Sequence, residues 1–186
     1  MSDHKHTNIC LSGGSDGADL LWGTMANAVG HEVIHLCFDS FHTSAPHHQV
    51  VRLSTDFLTR ADDHCYAANR LLKRKFPTRS TRVMNLLRRN FFQIESAETC
   101  YAISTFDKDG NIAGGTAWAM TMFLLKHDLA ACKAFLFDQD ACRWHQWVGH
   151  WEAIYEPPRP SGIYAGIGAR DLKVMGRLAI TVLMQL

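Results

Sequence analysis

Short apolar runs alternate with amphipathic ones along this chain, and each change of period marks an element. Asn8 to Ser12 reads as a buried strand ending in a glycine-rich turn. From Gly17 to Val29, the residues Ala18, Leu21, Trp22, Met25 and Ala28 fall at helical spacing, and Gly30 stops the helix. Glu32 to Phe38 is rich in β-branched and aromatic residues and predicts a second strand. A polar, His-rich loop with Pro46 follows. Val50 to Phe76 predicts mostly helix, broken near Pro77. The next helix runs from Arg82 to Ile94, with Val83, Leu86, Leu87 and Phe91 on one side.

Thr99 to Ser104 is a third strand, and Asp107 to Asn111 has turn chemistry. The stretch from Gly115 to His127 is apolar almost all round, so it predicts a helix buried by the sheet and by a second subunit. Ala134 to Asp138 is a fourth strand. Arg143 to Tyr155, with Trp144, Trp147 and Trp151, predicts an irregular hairpin. Prolines make Glu156 to Ser161 an extended connection. Ile163 to Ile167 is a fifth strand, and Asp171 to Leu186 a closing helix. Alternation of strand and helix without a repeat predicts an α/β fold over residues 1 to 186. It is a Rossmann-like open parallel sheet flanked by helices, a three-layer sandwich in a single domain.

Composition narrows the class. The chain has 186 residues, 47% of them hydrophobic, which excludes a disordered chain. Nineteen Lys and Arg against eighteen Asp and Glu leave a formal charge of +1, which argues against a partner with a polyanionic backbone. No apolar run approaches the roughly 18–20 residues of a bilayer-spanning helix. The start, Met1 to Thr7, is polar and lacks a signal-peptide pattern. The expectation is a soluble, cytoplasmic protein with no membrane partner. Cys10, Cys37, Cys65, Cys100, Cys132 and Cys142 are widely spaced, as reduced structural cysteines are. The histidines, including His47, His48, His145 and His150, lack metal-ligand spacing, so no metal is expected.

Ligands of open parallel sheets bind beyond the carboxyl ends of the strands, where strand order reverses. Three such ends carry glycine. Ser12-Gly-Gly-Ser-Asp-Gly-Ala-Asp19 follows the first strand, and Gly13, Gly14 and Gly17 let backbone N–H groups approach an anion at a helix start. The structural alternative is a tight turn capped by Asp16. Gly114-Gly-Thr116 opens the apolar helix, and Gly115 and Thr116 either meet an anion or cap a buried helix. Gly166-Ile-Gly-Ala-Arg-Asp171 follows the last strand. There Gly168 gives close approach, and Arg170 either holds phosphate bidentately or pairs with an acidic neighbour. Arg88-Arg89-Asn90 ends a helix, and Asn90 has the donor and acceptor to read a base or ribose unless this is a solvated face. Three glycine loops on one edge point to a phosphorylated ligand.

Together, Ser12 to Asp19, Arg89-Asn90, Gly114 to Thr116 and Gly168-Ala-Arg-Asp171 resemble the SLOG superfamily of Rossmann-like nucleotide-binding proteins. That superfamily includes the lonely-guy phosphoribohydrolases, the DNA-processing protein A domain and the YpsA-like proteins. The G-x-R-D piece stands last here instead of first, so the chain resembles the circularly permuted YpsA-like branch. The resemblance implies a nucleotide or nucleotide-derived ligand over the glycine loops. Some branch members are labelled molybdenum cofactor carriers, and others in the superfamily sense NAD-derived signals. A molybdopterin-type ligand is therefore included, and a homo-oligomer is implied. Lonely-guy enzymes place a Glu after P-G-G-x-G-T, whereas Ala117 to Met120 carry no carboxylate.

Three functions follow. The first is binding of a phosphorylated nucleotide-type ligand by Ser12, Gly13, Gly14, Gly17, Arg89, Asn90, Gly114, Gly115, Thr116, Gly168 and Arg170. The second is N-glycosidic hydrolysis of nucleotides with Asp16 or Asp19 as general base. The third, weakest because of the neutral net charge, is a single-stranded DNA module using Lys73, Arg74 and Lys75.

Overall fold

Short strands buried on nearly every residue build a central sheet whose two faces are both apolar. The computed structural model describes residues 7 to 185; the polar residues 1–6 and the last residue of the expected closing helix lie outside them. In chain order the strands are β1 (Ile9–Ser12), β2 (Glu32–Phe38), β3 (Val50–Leu53), β4 (Thr99–Ser104), β5 (Ala134–Asp138), β6 (Arg143–Trp147), β7 (Trp151–Ile154) and β8 (Ile163–Gly168). The helices are α1 (Ala18–Ala28), α2 (Thr55–Thr59), α3 (Asp62–Leu72), α4 (Thr81–Ile94), α5 (Thr116–Lys126) and α6 (Val174–Gln185).

Sheet order is β3-β2-β1-β8-β4-β5-β6-β7. The first six strands in that order are parallel, while β6 and β7 add antiparallel pairs at one edge. The chain runs outward from β1 to β2 and β3, and outward the other way from β4 to β5. β8, the last strand in sequence, fills the middle. Strand order therefore reverses around β8.

Alternation along the strands sorts side chains into two cores. Ala102, Leu136, Ala165 and Ile167 face α2 to α5, whereas Tyr101, Ile103, Phe135 and Tyr164 face α1 and α6. The result is a three-layer α/β sandwich. Trp22 of α1 is fully buried, and its indole N–H donates to the Ile167 carbonyl at 3.2 Å. Burying a side chain of this size contributes about 3 kcal/mol. Among the described residues no helix is long and apolar enough to cross a membrane.

Local signals set the boundaries. The Ser54 and Ser80 side chains cap α2 and α4 by accepting from Phe57 N and Val83 N. Gly30, at φ 80°, reverses the chain after α1. The expectation of helix from Val50 needs correction. Val50 to Leu53 form β3, pairing parallel with His35 to Phe38, and helix starts only after the Ser54 cap. Paired β-branched residues on a sheet edge outweigh the helical pattern downstream. The closing helix also starts late, at Val174. Gln139 holds the preceding turn open by donating to Asp171 O and accepting from Lys173 N. Helix α5 packs against α3, α4 and the sheet of its own chain, which bury most of its apolar side chains and leave Leu125 exposed.

Candidate functional site

The carboxyl ends of β1, β4 and β8 bring the three glycine loops together. They border a cavity of about 740 Å³, within the size range of small-molecule sites. Of the residues singled out in the sequence, Asp19, Arg89, Asn90, Gly114, Gly115, Thr116, Gly168 and Arg170 line it. Asp16 is exposed, and neither it nor Ser12, Gly13, Gly14 and Gly17 are part of that lining.

The first loop is tied down from below. The Ser12 hydroxyl lies within hydrogen-bonding distance of two carbonyls, Gly166 O at 2.6 Å and Asp19 O at 3.0 Å. Asp19, in the first turn of α1, accepts from Gly168 N at 3.1 Å and Ser15 N at 3.4 Å. Its carboxylate also lies 3.6 Å from Arg89 Nη2. Arg89 reaches from α4 to donate to the Gly13 carbonyl at 2.7 Å and the Ser15 hydroxyl at 3.2 Å. Its guanidinium lies over the Phe41 ring. Burial pushes the Asp19 carboxyl above its ordinary value, and Arg89 with the Ser15 and Gly168 N–H groups pulls it back. The partners of Asp19 join the first loop, α4 and the loop after β8, and its side chain also lines the cavity.

The glycines divide into two groups by what a side chain would meet. A Cβ on Gly13 would lie 2.5 Å from Asp19 Oδ2, and one on Gly168 would lie 2.5 Å from Ile103 O. A Cβ on Gly17, at φ 90°, would run into the Arg170 carbonyl, because Ala18 N donates to Ala169 O and draws the two loops together. These glycines serve contact between loops. Gly114 and Gly115 differ, since a Cβ at either would meet nothing within 4 Å. Gly115 has an ordinary φ of −70°, so neither conformation nor packing within the chain requires glycine there. It stands at the start of α5, whose first turn has no side-chain cap, and both Gly115 and Thr116 line the cavity.

Two residues that sequence reasoning did not join to the site hold this segment. Arg74 Nη1 donates to Gly114 O at 2.6 Å and Nη2 to Ile112 O at 2.8 Å. Gln93 Nε2 donates to Asn90 Oδ1, and Asn90 Nδ2 in turn donates to Gly115 O at 3.2 Å. The basic run at Lys73, Arg74 and Lys75 therefore has Arg74 and Lys75 on the cavity wall. The signal available in sequence was only its charge. Arg170 is exposed at the opposite rim and has no ion pair among the described residues, whereas Lys173 pairs with Asp140.

Between α4 and α5 the wall turns apolar, with Val83, Leu86, Leu87 and Trp118. The cavity thus has polar residues at the glycine loops and apolar residues between α4 and α5. No group of three metal-ligating side chains occurs among the described residues. Five of the cysteines are buried, and burial pushes the Cys10 and Cys65 thiols up to about 12, which leaves them unreactive. His35, beneath the first loop on β2, is buried with Nδ1 unpartnered. Burial and then the Arg89 charge lower its pKa to about 4. No family model matches the chain, and neither the curated proteins nor the solved structures compared with it give a match.

Proposed function

We propose that the cavity binds a phosphorylated nucleotide or a nucleotide-like ligand such as a pterin phosphate. The observation that carries this reading is the open backbone at Gly114 and Gly115, on the N-terminal side of α5 and facing the cavity. A phosphate there meets the positive end of the helix and its first N–H groups, of which Trp118 N also donates to Gly115 O at 3.0 Å. Arg170 and Lys75 add charge from the two sides, and the apolar wall of Val83, Leu86 and Trp118 accepts a planar ring. The central place of β8, supplied by the C-terminal part of the chain, supports likeness to a permuted SLOG protein. Binding is favoured over hydrolysis because Asp19 is committed to holding loops, Asp140 is paired with Lys173, and Ala117 to Met120 bring no carboxylate.

Equilibrium dialysis against AMP, ADP, ADP-ribose, NAD and molybdopterin, each beside its dephosphorylated parent where one exists, tests this. At least one phosphorylated compound is expected to bind about tenfold or more tightly than its parent, as a charge-assisted contact of about 1.5–3 kcal/mol implies. Equal affinity for both forms, or binding of none, contradicts the proposal. Free base accumulating in the dialysed mixture would move the assignment to hydrolysis.

A further inference from the structure

Val83, Leu86, Leu87, Asn90 and Gln93 recur along α4 at spacings of three and four, and all five line the cavity. Gln93 is the last of this stripe and only 1% exposed. A side-chain amide buried to that degree needs a partner at both of its ends. Gln93 has one. Its Nε2 donates to Asn90 Oδ1 at 3.2 Å, whereas its Oε1 accepts from no group among the described residues.

The backbone sets which way both amides point. The Gly115 carbonyl can only accept, and it takes Trp118 N at 3.0 Å and Asn90 Nδ2 at 3.2 Å. Asn90 Oδ1 is thereby the atom turned to Gln93, so Gln93 must offer Nε2 to Asn90 and keep Oε1 for the cavity that it lines. Each end of the Asn90 amide is engaged within the chain. The open acceptor belongs to Gln93.

We propose, resting on the ligand reading above, that Gln93 selects the ligand's ring and selects one that bears an exocyclic amine. An amine N–H of an adenine, cytosine or pterin ring donates to Gln93 Oε1. A keto oxygen in its place, as in hypoxanthine, uracil or lumazine, sets two acceptors against each other. Leaving a buried polar atom unpaired costs more than a hydrogen bond gains, so the acceptor discriminates chiefly by rejection. Asn90 is the brace that stops the Gln93 amide from turning over to offer Nε2 to a keto group. A role confined to bracing Asn90 accounts for Nε2 and leaves the buried Oε1 without a function.

Titration calorimetry of the full chain with three amino–keto pairs tests this: AMP and IMP, adenosine and inosine, pterin and lumazine. In at least one pair the amine form is expected to bind about tenfold or more tightly, and in none the keto form. Gln93→Met, close to the same shape, should bring that ratio near one. Asn90→Ala, which frees the Gln93 amide to turn, should also lower it and decides the matter if Gln93→Met does not fold. AMP against adenosine reads the phosphate, and adenosine against inosine reads the amine, so either proposal can fail without the other. Equal affinity within every pair, or binding of none of the six, overturns the assignment. So does a ratio that survives Gln93→Met, or survives Asn90→Ala where the first variant is unfolded. Equal weakening of amine and keto forms by Gln93→Met would make Gln93 a brace alone.

Discussion

Arg74 and Gly114, forty residues apart, are joined by a hydrogen bond of 2.6 Å from the guanidinium to the carbonyl oxygen. A second bond to Ile112 O makes the contact a clamp on the segment that enters α5. A side chain from the α3–α4 connection thus shapes the cavity-facing end of another helix. Arg74→Ala should weaken binding of a phosphorylated ligand by about tenfold, the equivalent of one charged hydrogen bond of about 1.5 kcal/mol. Because one of these bonds is at the surface, the melting temperature should move little. A large drop in melting temperature with unchanged affinity would show that the clamp serves the fold alone.

The division between filled and open glycines gives a paired expectation. Gly17→Ala forces a Cβ against the Arg170 carbonyl at a φ that L-residues avoid, and should cost about 1–3 kcal/mol. Gly115→Ala places its methyl in open space at an ordinary φ and should change stability by no more than about 1 kcal/mol. Urea denaturation of the two variants measures both. Similar losses would mean that Gly115 also supports packing.

Arg89 and Asp19 form a buried unit, so single changes should be harsher than the double. Arg89→Met leaves the Asp19 carboxylate buried beside the bare Gly13 carbonyl and should cost about 3–5 kcal/mol. Adding Asp19→Asn to that variant should recover part of the loss. A double-mutant cycle from denaturation midpoints gives the coupling. Strict additivity would show that the two side chains act independently.

His35 sets an acid limit. Its pKa falls from about 6.5 unfolded to about 4 folded, so the unfolded chain takes up the proton first. Stability should therefore be complete above about pH 6.5 and fall as pH drops toward 4, by up to about 3 kcal/mol. His35→Gln should flatten that part of the curve in a pH series of thermal melts. An unchanged slope in the variant would place the acid sensitivity in other groups.

Much of this architecture is legible in the sequence because both signals are local. The runs of β1, β2, β4, β5 and β8 alternate or are wholly apolar, and α1, α4 and α5 start and stop at glycine, serine or loop chemistry. β3 was hidden because four residues at a sheet edge leave too short a pattern, and the helical period downstream absorbed it. The glycine-rich strand ends were legible, and the loops that follow β4 and β8 line the cavity. What the sequence does not separate is which glycine faces a neighbouring loop and which faces open space, since that depends on how β8 brings residues 166–170 against residues 12–19. Asp19 reads in sequence as a carboxylate beside a glycine loop, and only the fold shows it bonded to Gly168 N and Ser15 N. Arg74 lies far in sequence from every glycine it positions, so only the folded chain joins them.

The most direct measurement is the shift in melting temperature of the wild-type chain and of Gly115→Val across a panel of AMP, ADP, ADP-ribose, NAD and molybdopterin. A ligand present at about one hundred times its dissociation constant should stabilise the wild type by about 2.7 kcal/mol. The account requires at least one phosphorylated compound to do so, and requires Gly115→Val, folded as stably without ligand, to lose most of that shift. No shift with any compound, or an equal shift in both proteins, would contradict a phosphate site at the start of α5.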